Sequence, residues 1–330
     1  MKKVFPPKLK KGDKVAVVAP SVSLSYFSKS RVARSVKILE SLGLSLEWGQ
    51  HAREMDSGDS SSSIDYRIAD LHAAFLDPQI KGIIAVDGGY NCNQLLEYID
   101  WDIIVENPKM FCGYSDITAL QNAFFAKTGL VSYSGPCFIT WSSAVYKEEV
   151  LLRYTLDHFR SAVFAKSGND LVLESSQLWR DDCSSGLRPH KDWWIINEGR
   201  AGGTIIGGNL STVGLLQGTP FFPSLKNSIV FLEDDYESHA DIFDRDLESL
   251  FQVKESKYVR GLVIGRFEKA SKMTKERLVR IIRSKKQLEQ IPVIANVDFG
   301  HTVPLFTFPI GGEASFTARG AFLKSINISV

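Results

Sequence analysis

The chain turns from a strand into a helix within Met110-Phe111-Cys112-Gly113-Tyr114-Ser115-Asp116-Ile117-Thr118-Ala119-Leu120. The apolar run ends at a glycine, and the sequence predicts a helix from Ser115 onward. Apolar side chains fall near one face of this helix, at Ile117, Leu120, Phe124 and Ala126. Gly129 follows where a helix commonly ends. A buried strand, a sharp corner and a helix therefore succeed one another, with a hydroxyl group at the corner.

Ser115 has two interpretations at that corner. It can be an ordinary N-cap whose oxygen accepts hydrogen bonds from first-turn amides, and taken alone this is the favoured one. It can instead be a nucleophile whose developing oxyanion would be met by those amides and by the helix dipole. The rest of the chain has to decide between them.

Composition describes an ordinary globular protein without a strong electrostatic field. The 330 residues are 44% hydrophobic and 23% charged, and Lys and Arg total 39 against 38 Asp and Glu. A chain of this length exceeds what one hydrophobic core commonly serves, so we expect two domains. The net charge of +1 favours neither nucleic acid nor an acidic membrane as a partner.

Sequence features predict a cytoplasmic location. Charged residues at Lys8, Lys10 and Asp13 interrupt the start before an apolar segment of signal-peptide length can form. No apolar run approaches the roughly 18 residues of a membrane span. The cysteines show no CxxC pairing and no disulfide-framework density, which suits a reducing compartment, and we expect them to be small core residues; they are Cys92, Cys112, Cys137 and Cys183.

Strands and helices alternate along the first half of the chain. Strands are predicted at 15–19, 44–48, 82–86 and 110–112, and helices at 28–42, 65–76, 94–99 and 148–159. Such alternation indicates a parallel sheet covered on both faces, in which sites form at the carboxyl ends of strands. Gly88-Gly89 and Gly113-Tyr114-Ser115 both follow such ends.

A change of composition divides the chain. Residues 1–165 are predicted to form the α/β domain that carries the serine. Residues 166–200 lack long apolar runs and contain Trp179, Trp193 and Trp194, which is typical of a linker or substrate loop. Residues 201–330 are predicted to form a second domain, with strands at 204–206, 229–232, 261–267 and 292–299, helices at 240–251 and 275–284, and extended segments from 305 onward.

Three reactive side chains follow predicted strands: Ser115, Glu233 and His301. A hydrolytic triad needs a hydroxyl, an imidazole to take its proton and a carboxylate to orient the imidazole. These residues supply one of each, although Glu233 is equally well explained as part of a solvated acidic turn with Asp234 and Asp235. Surface positions are expected for His51, His72, His158 and His190.

Competing chemistry has weaker support. His239, between Glu237 and Asp241, is a rival base, but the spacing is that of a helix start and matches no zinc pattern such as HExxH. Cys112 is a rival nucleophile, yet it should point into the sheet. Neither GxxxxGK[ST] nor GxGxxG occurs, and Ile117 replaces the second glycine of GxSxG. Gly88-Gly89 is therefore better explained as an oxyanion donor than as a phosphate loop.

Taken together, the motifs resemble the LD-carboxypeptidases, serine peptidases that include murein tetrapeptide carboxypeptidases and microcin C immunity proteins of the MccF type. The resemblance runs along nearly the whole chain and rests on the order and spacing of the motifs Lys10-Lys11-Gly12-Asp13, Ala19-Pro20-Ser21, Gly88-Gly89-Tyr90-Asn91, Gly113-Tyr114-Ser115-Asp116-Ile117-Thr118, Gly207-Gly208-Asn209-Leu210, Leu232-Glu233-Asp234 and Gly300-His301.

This resemblance implies a Ser115–Glu233–His301 triad, with the backbone amides of Gly89 and Asp116 as the oxyanion hole. It also implies a Rossmann-like N-terminal domain, a smaller β-rich α+β C-terminal domain and a homodimer, without metal or organic cofactor. Candidate substrate-binding residues are Gly88, Trp179 and Asn209.

The two branches of the family differ in substrate. Murein enzymes often have Arg before Gly-Gly-Tyr-Gly, whereas this chain has Asp87 before Gly88-Gly89-Tyr90-Asn91, and its length and Trp-rich segment look more like the MccF branch. That branch implies a peptidyl- or aminoacyl-nucleotide substrate, with Trp179 stacking on the base. The alternatives are that the tryptophans only pack the loop onto the protein, that the substrate is a murein tetrapeptide, or that the protein binds such ligands without cleaving them.

Overall fold

A computed structural model describes residues 2–56, 59–143, 146, 148–164, 170–181, 186–320 and 325–329. The α-helices are α1 Lys29–Ser41, α2 Ile64–Leu76, α3 Trp101–Glu106, α4 Thr118–Thr128, α5 Glu149–Val163, α6 Leu210–Gly214, α7 Ala240–Gln252 and α8 Lys275–Arg283. The strands are β1 Lys14–Val18, β2 Ser45–Trp48, β3 Ile80–Ala85, β4 Met110–Gly113, β5 Ser132–Ser134, β6 Asp170–Glu174, β7 Leu178–Trp179, β8 Arg188–Pro189, β9 Trp194–Asn197, β10 Gly199–Asn209, β11 Ser228–Glu233, β12 Gly261–Gly265, β13 Val293–Val297, β14 Phe308–Ile310, β15 Glu313–Ala318 and β16 Ser325–Ser329.

The N-terminal half is built on a sheet with the strand order β14-β5-β4-β3-β1-β2. Strands β5, β4, β3, β1 and β2 run parallel, and β14 pairs antiparallel with β5. Every residue of β4 is buried, as expected for a strand with a helix layer on each face. The predicted α/β architecture is confirmed.

The C-terminal half is a separate β-rich unit with the strand order β6-β16-β15-β10-β11-β12-β13-β9. Its centre, β10 to β13, is parallel, while both flanks are antiparallel. This confirms the predicted second architecture. Strands β6 and β9, from the segment predicted as linker, belong to this sheet, whereas β14 from the chain's last part joins the first sheet; the proposed domain boundaries stay a prediction.

The segment between β3 and β4 differs from its prediction. The predicted helix at 94–99 is a 3₁₀ helix at Cys92–Leu95, followed by α3, which the sequence analysis missed. Asp100 caps α3 by accepting a hydrogen bond from the amide of Asp102. The sequence did not predict this helix because six residues are too few to show a helical period of apolar side chains. Helix α4 ends where the sequence predicts, at Gly129, whose φ of +77° lies in the left-handed region.

Buried hydrogen bonds fix α4 against the C-terminal sheet. The Asn122 side-chain amide donates to the Gly207 carbonyl at 2.8 Å and accepts from the Gly207 amide at 3.3 Å. The Thr118 hydroxyl accepts from the Asn209 amide at 3.0 Å. Because α4 begins just after Ser115, this contact sets where the serine stands relative to β11 and the β13–β14 connection.

Candidate active site

Ser115 lies at a strained corner between β4 and α4. Its φ of +62° is in the left-handed region, which non-glycine residues rarely occupy and which clusters at functional sites. A 3₁₀ turn, Ser115–Ile117, precedes α4, and neither helix receives a cap from the Ser115 side chain. The N-cap interpretation is therefore wrong, and its hydroxyl is free to point away from the helix.

The three predicted triad side chains form one hydrogen-bonded chain. The Ser115 Oγ lies 3.1 Å from His301 Nε2, and His301 Nδ1 lies 2.7 Å from Glu233 Oε2. Both distances are those of a hydroxyl, base and orienting carboxylate ready for proton transfer. With Nδ1 donating to Glu233, Nε2 is the nitrogen that can accept the serine proton.

Glu233 is enclosed rather than solvated. It is 3% exposed at the end of β11, and Asp234 beside it is 1% exposed. A carboxylate this deeply buried requires a cationic or hydrogen-bonding partner, which His301 supplies. The alternative of a solvated acidic turn is wrong for these two residues.

Acidic neighbours dominate the electrostatics of the site. Burial lowers the pKa of His301, but the charge and hydrogen bond of Glu233, with the charges of Asp235 and Glu268, outweigh it and raise the pKa to about 9. Burial, followed by the charges of Glu233 and Asp235, raises the pKa of Asp234 to about 7. Burial also raises the pKa of Glu268 to about 7. The site therefore favours a positively charged His301 at neutral pH.

The glycine turn after β3 packs directly on Ser115. A methyl group at Gly88 would lie 2.8 Å from Ser115 Cβ, 2.9 Å from its Oγ and 3.4 Å from the Asp116 nitrogen. Gly89 has φ +150°, a conformation that side-chain-bearing residues rarely adopt. The predicted donors, the Gly89 and Asp116 amides, thus belong to two turns that touch at Ser115; their oxyanion role stays a prediction.

The Asp116 side chain organises that junction. Its Oδ2 accepts from the Ser21 hydroxyl at 2.7 Å and from the amides of Asn91 and Cys92, each at 2.9 Å. Arg67 adds a bond to the Asn91 side chain at 3.1 Å. One carboxylate therefore holds together the loops after β1, β3 and β4, a role that the sequence does not reveal because the partners are distant in the chain.

Asn209 is engaged within the protein. Its Oδ1 caps α6 by accepting from the Thr212 amide at 3.1 Å, and its Nδ2 donates to Asp234 at 3.2 Å. It is 2% exposed, although it contributes to the wall of a cavity beside Ser115. Its predicted contact with substrate is untested.

Trp179 lies in the β7–β8 hairpin. The guanidinium carbons of Arg266 and Arg188 are 5.0 and 5.8 Å from its ring centre, within range of cation–π attraction. The next residue, Arg180, pairs through its backbone with Val303, two residues beyond His301. The hairpin is thus tied to the histidine loop, while stacking of Trp179 on a substrate stays a prediction. Parts of the predicted 166–200 loop, 166–169 and 182–185, lie outside the described residues.

A buried polar cluster around Asp298 packs against this loop. Asp298 is fully buried and accepts from the Trp193 ring nitrogen at 2.7 Å; it also pairs with Arg266. The His190 side chain is 1% exposed and lies 3.5 Å from Asp298, so the expected surface position of His190 is wrong. Trp193 packs the loop onto the protein, as one alternative predicted. A lone histidine in a Pro- and Asp-rich stretch gives no signal of such burial.

The rival reactive groups are excluded by their surroundings. Cys112 is fully buried, and burial raises the pKa of its thiol well above the usual range. Cys92 and Cys137 are also buried core residues, whereas Cys183 lies outside the described residues. His239 occupies the N-cap position of α7 without a side-chain capping hydrogen bond and lies 3.7 Å from Asp241. In the described parts of the chain, no His, Cys, Asp and Glu side chains group as metal ligands would.

Two cavities meet at Ser115. The first, of about 310 Å³, includes Asp87, Gly88, Tyr114 and His301 in its wall. The second, of about 250 Å³, includes Asp116 and Asn209. Ser115 lines both cavities, so a ligand can extend to either side of it. Within the described residues no helix has the length and apolar character needed to cross a bilayer.

Models of known protein domains match both halves of the chain. The LD-carboxypeptidase N-terminal domain model matches residues 15–135, and the LD-carboxypeptidase C-terminal domain model matches residues 202–316. The chain is 44% identical over 321 residues to YocD of Bacillus subtilis (strain 168), which carries the name of a carboxypeptidase; the match covers 96% of each chain.

Two MccF proteins are also similar. The crystal structure of an MccF-like protein from Bacillus anthracis str. Ames is 45% identical, with a TM-score of 0.93 over 98% of this chain and 99% of that one. The microcin C7 self-immunity protein MccF of Escherichia coli is 29% identical over 91% of this chain and 89% of its own. A structure of MccF in complex with aspartyl sulfamoyl adenosine matches with a TM-score of 0.87, at 26% identity over 99% of this chain and 98% of that one.

Both domain models match in the expected order, and the similarity to these relatives extends over nearly the whole chain. The chain therefore belongs to the LD-carboxypeptidase family and is a serine-type carboxypeptidase.

Proposed function

We propose that the protein hydrolyses an amide bond in a small peptidyl- or aminoacyl-nucleotide conjugate through an acyl-enzyme on Ser115. The observation that carries this proposal is the hydrogen-bonded chain from Ser115 Oγ through His301 to the buried Glu233. Cleavage of such conjugates would give self-immunity or detoxification.

The proposed reaction has two halves. Ser115 Oγ attacks the carbonyl carbon while its proton passes to His301 Nε2, and the oxyanion is met by the Gly89 and Asp116 amides. The C–N bond then breaks, and His301 returns the proton to the leaving nitrogen. Water attacks the resulting ester with His301 again as base, which releases the acid and restores Ser115.

Two observations support a conjugate over a murein tetrapeptide as substrate. MccF forms a complex with aspartyl sulfamoyl adenosine, an aminoacyl-nucleotide analogue. In addition, none of the described residues that line the two cavities is Lys or Arg, so the site offers no such cation to pair with the terminal carboxylate of a tetrapeptide. A murein tetrapeptide is accordingly the second candidate.

Parallel assays of a murein tetrapeptide and an aminoacyl sulfamoyl adenosine test this choice. The conjugate should have the higher kcat/KM, and Ser115→Ala should lower kcat by about 10⁶-fold with an unchanged circular dichroism spectrum. A higher kcat/KM for the tetrapeptide would reverse the substrate assignment. Substantial hydrolysis by Ser115→Ala would overturn the triad.

We further propose, from the sequence and the family resemblance, that the protein is a cytoplasmic homodimer. Light scattering coupled to size-exclusion chromatography tests the dimer: a mass near twice the 36.8 kDa of the chain is expected, and a monomer mass at micromolar concentration would contradict it.

A further inference from the structure

The larger cavity at Ser115 has walls of two kinds, aromatic rings and carboxylates. Exposed tyrosines are prominent: Tyr26, Tyr90 and Tyr236 are 66%, 74% and 57% exposed. Large aromatic side chains left this open beside a nucleophile are available to contact a ligand.

The carboxylates of this cavity belong to Asp87, Asp235 and Glu237. The positive group in its described wall is His301, which Glu233 already engages. Burial raises the pKa of Asp87 more than the positive charge of Arg31, which does not line the cavity, lowers it. Unlike Asp87, Glu237 is solvent-exposed and has no Lys, Arg or His within ion-pair distance among the described residues.

Glu237 occupies the position between the two cavities. It lines both of them, as does Tyr90. The Tyr90 hydroxyl donates to Glu237 Oε1 at 2.8 Å, which joins the loop after β3 to the loop after β11 across the cleft. The Glu237 amide in turn donates to Asp235 at 2.8 Å. The Glu237 carboxylate is thus held at the opening of the nucleophile's cleft by a neutral donor, the Tyr90 hydroxyl.

Both the aromatic rings and the carboxylates of the cavity favour a cationic ligand. Aromatic faces attract ammonium and guanidinium groups through their quadrupole, and carboxylates form charge-assisted hydrogen bonds with them. An anionic group in the same cavity would face three carboxylates without a Lys or Arg to offset them. Aromatic rings alone would also suit a nucleobase, but the accompanying negative charge favours a cation.

We propose that Glu237 is a specificity-determining residue that selects substrates whose acyl part carries an ammonium or guanidinium group beside the scissile carbonyl. This rests on the proposed hydrolysis at Ser115 and names the charge that its substrate carries. The cation can be the α-ammonium of an aminoacyl group or a basic side chain, and the substrates chosen below separate these two sources.

Sulfamoyl adenosine conjugates of lysine, norleucine and glutamate, with an N-acetylated norleucine conjugate, test the proposal. We expect the wild type to prefer the lysyl over the glutamyl conjugate by about tenfold in kcat/KM, and Glu237→Gln to remove most of that preference. If the α-ammonium is the recognised group, lysyl and norleucyl conjugates will react equally, and acetylation will lower kcat/KM about tenfold in the wild type but not in Glu237→Gln. Glu97→Gln, which changes an exposed glutamate outside both cavities, should behave as the wild type.

Binding to Ser115→Ala separates this proposal from the proposed function. If no conjugate is hydrolysed, the hydrolytic assignment fails, yet calorimetric affinities for Ser115→Ala with and without Glu237→Gln still measure the charge preference. The proposal is overturned if the wild type shows neither a preference for the lysyl over the glutamyl conjugate nor a loss on acetylation, or if Glu237→Gln leaves both effects unchanged.

Discussion

At the scale of single residues, chemistry depends on the protonation state of His301. The imidazole can accept the Ser115 proton only when Nε2 is neutral, yet Glu233, Asp235 and Glu268 raise its pKa to about 9. The sequence singled out all three residues of the proposed triad because each follows a predicted strand, and the family resemblance implied that they act together. The sequence did not predict how strongly the acidic residues raise the pKa of His301. Glu268 comes from a different loop, and Glu233 becomes buried only on folding.

Activity should therefore rise with pH through the acid limb of the kcat/KM profile. For the free enzyme we expect an apparent pKa near 9, with kcat/KM falling about tenfold per pH unit below it. In Glu233→Gln the acid limb should move to lower pH, because the Glu233 charge no longer raises the pKa of His301 while burial still lowers it. The plateau value of kcat/KM should also fall, by up to about 10⁴-fold. Steady-state rates between pH 5 and 10 measure both effects; a limb that Glu233→Gln leaves in place would contradict the assignment of Glu233.

At the scale of elements, Ser115 is positioned by loops from three strands rather than by its own helix. The corner at Ser115 is strained, and the Asp116 carboxylate ties it to Ser21 and to the amides after Gly89. The strand–corner–helix pattern of residues 110–128 was predictable from its apolar run and glycine. The left-handed serine was not, because its conformation is imposed by these long-range contacts and not by local propensity.

Gly88→Ala tests how tightly these turns meet. The added methyl would lie 2.9 Å from Ser115 Oγ, so we expect the hydroxyl to shift and kcat/KM to fall about 10²-fold with little change in thermal stability. Gly214→Ala in α6 is the matched control, because its methyl meets no atom within 4 Å. Full activity in Gly88→Ala would show that the turn after β3 does not define the reactive position of the serine.

At the scale of the whole molecule, the site exists only where the two halves meet. Ser115 follows β4 of the first sheet, whereas Glu233 is the last residue of β11 and His301 follows β13, both in the second sheet. Sequence patterning predicted the first architecture and the family resemblance implied the second, but neither predicted that β14 would return to the first sheet or that β6 and β9 would join the second. Those exchanges are non-local pairings, which no local period in the sequence records.

Asn122→Ala tests the coupling between the halves. The substitution leaves the buried amide and carbonyl of Gly207 without their side-chain partner, which should lower the free energy of unfolding by about 2–4 kcal/mol. We also expect kcat/KM to fall because α4 and β10 lose their alignment. Urea denaturation and steady-state kinetics measure the two effects, with the partly exposed Asn93→Ala as control. Wild-type stability and activity in Asn122→Ala would mean that this contact does not align the site.

The central claim is that Ser115 is the nucleophile, and intact-mass analysis after treatment with a fluorophosphonate tests it most directly. The wild type should gain one adduct that peptide mapping assigns to Ser115, and Ser115→Ala should gain none. His301→Ala should react far more slowly, because its serine lacks a base. An aminoacyl sulfamoyl adenosine that is hydrolysed in parallel shows that the cleft admits ligands. Hydrolysis of that conjugate without an adduct on Ser115, or an adduct on another residue, would contradict the assignment.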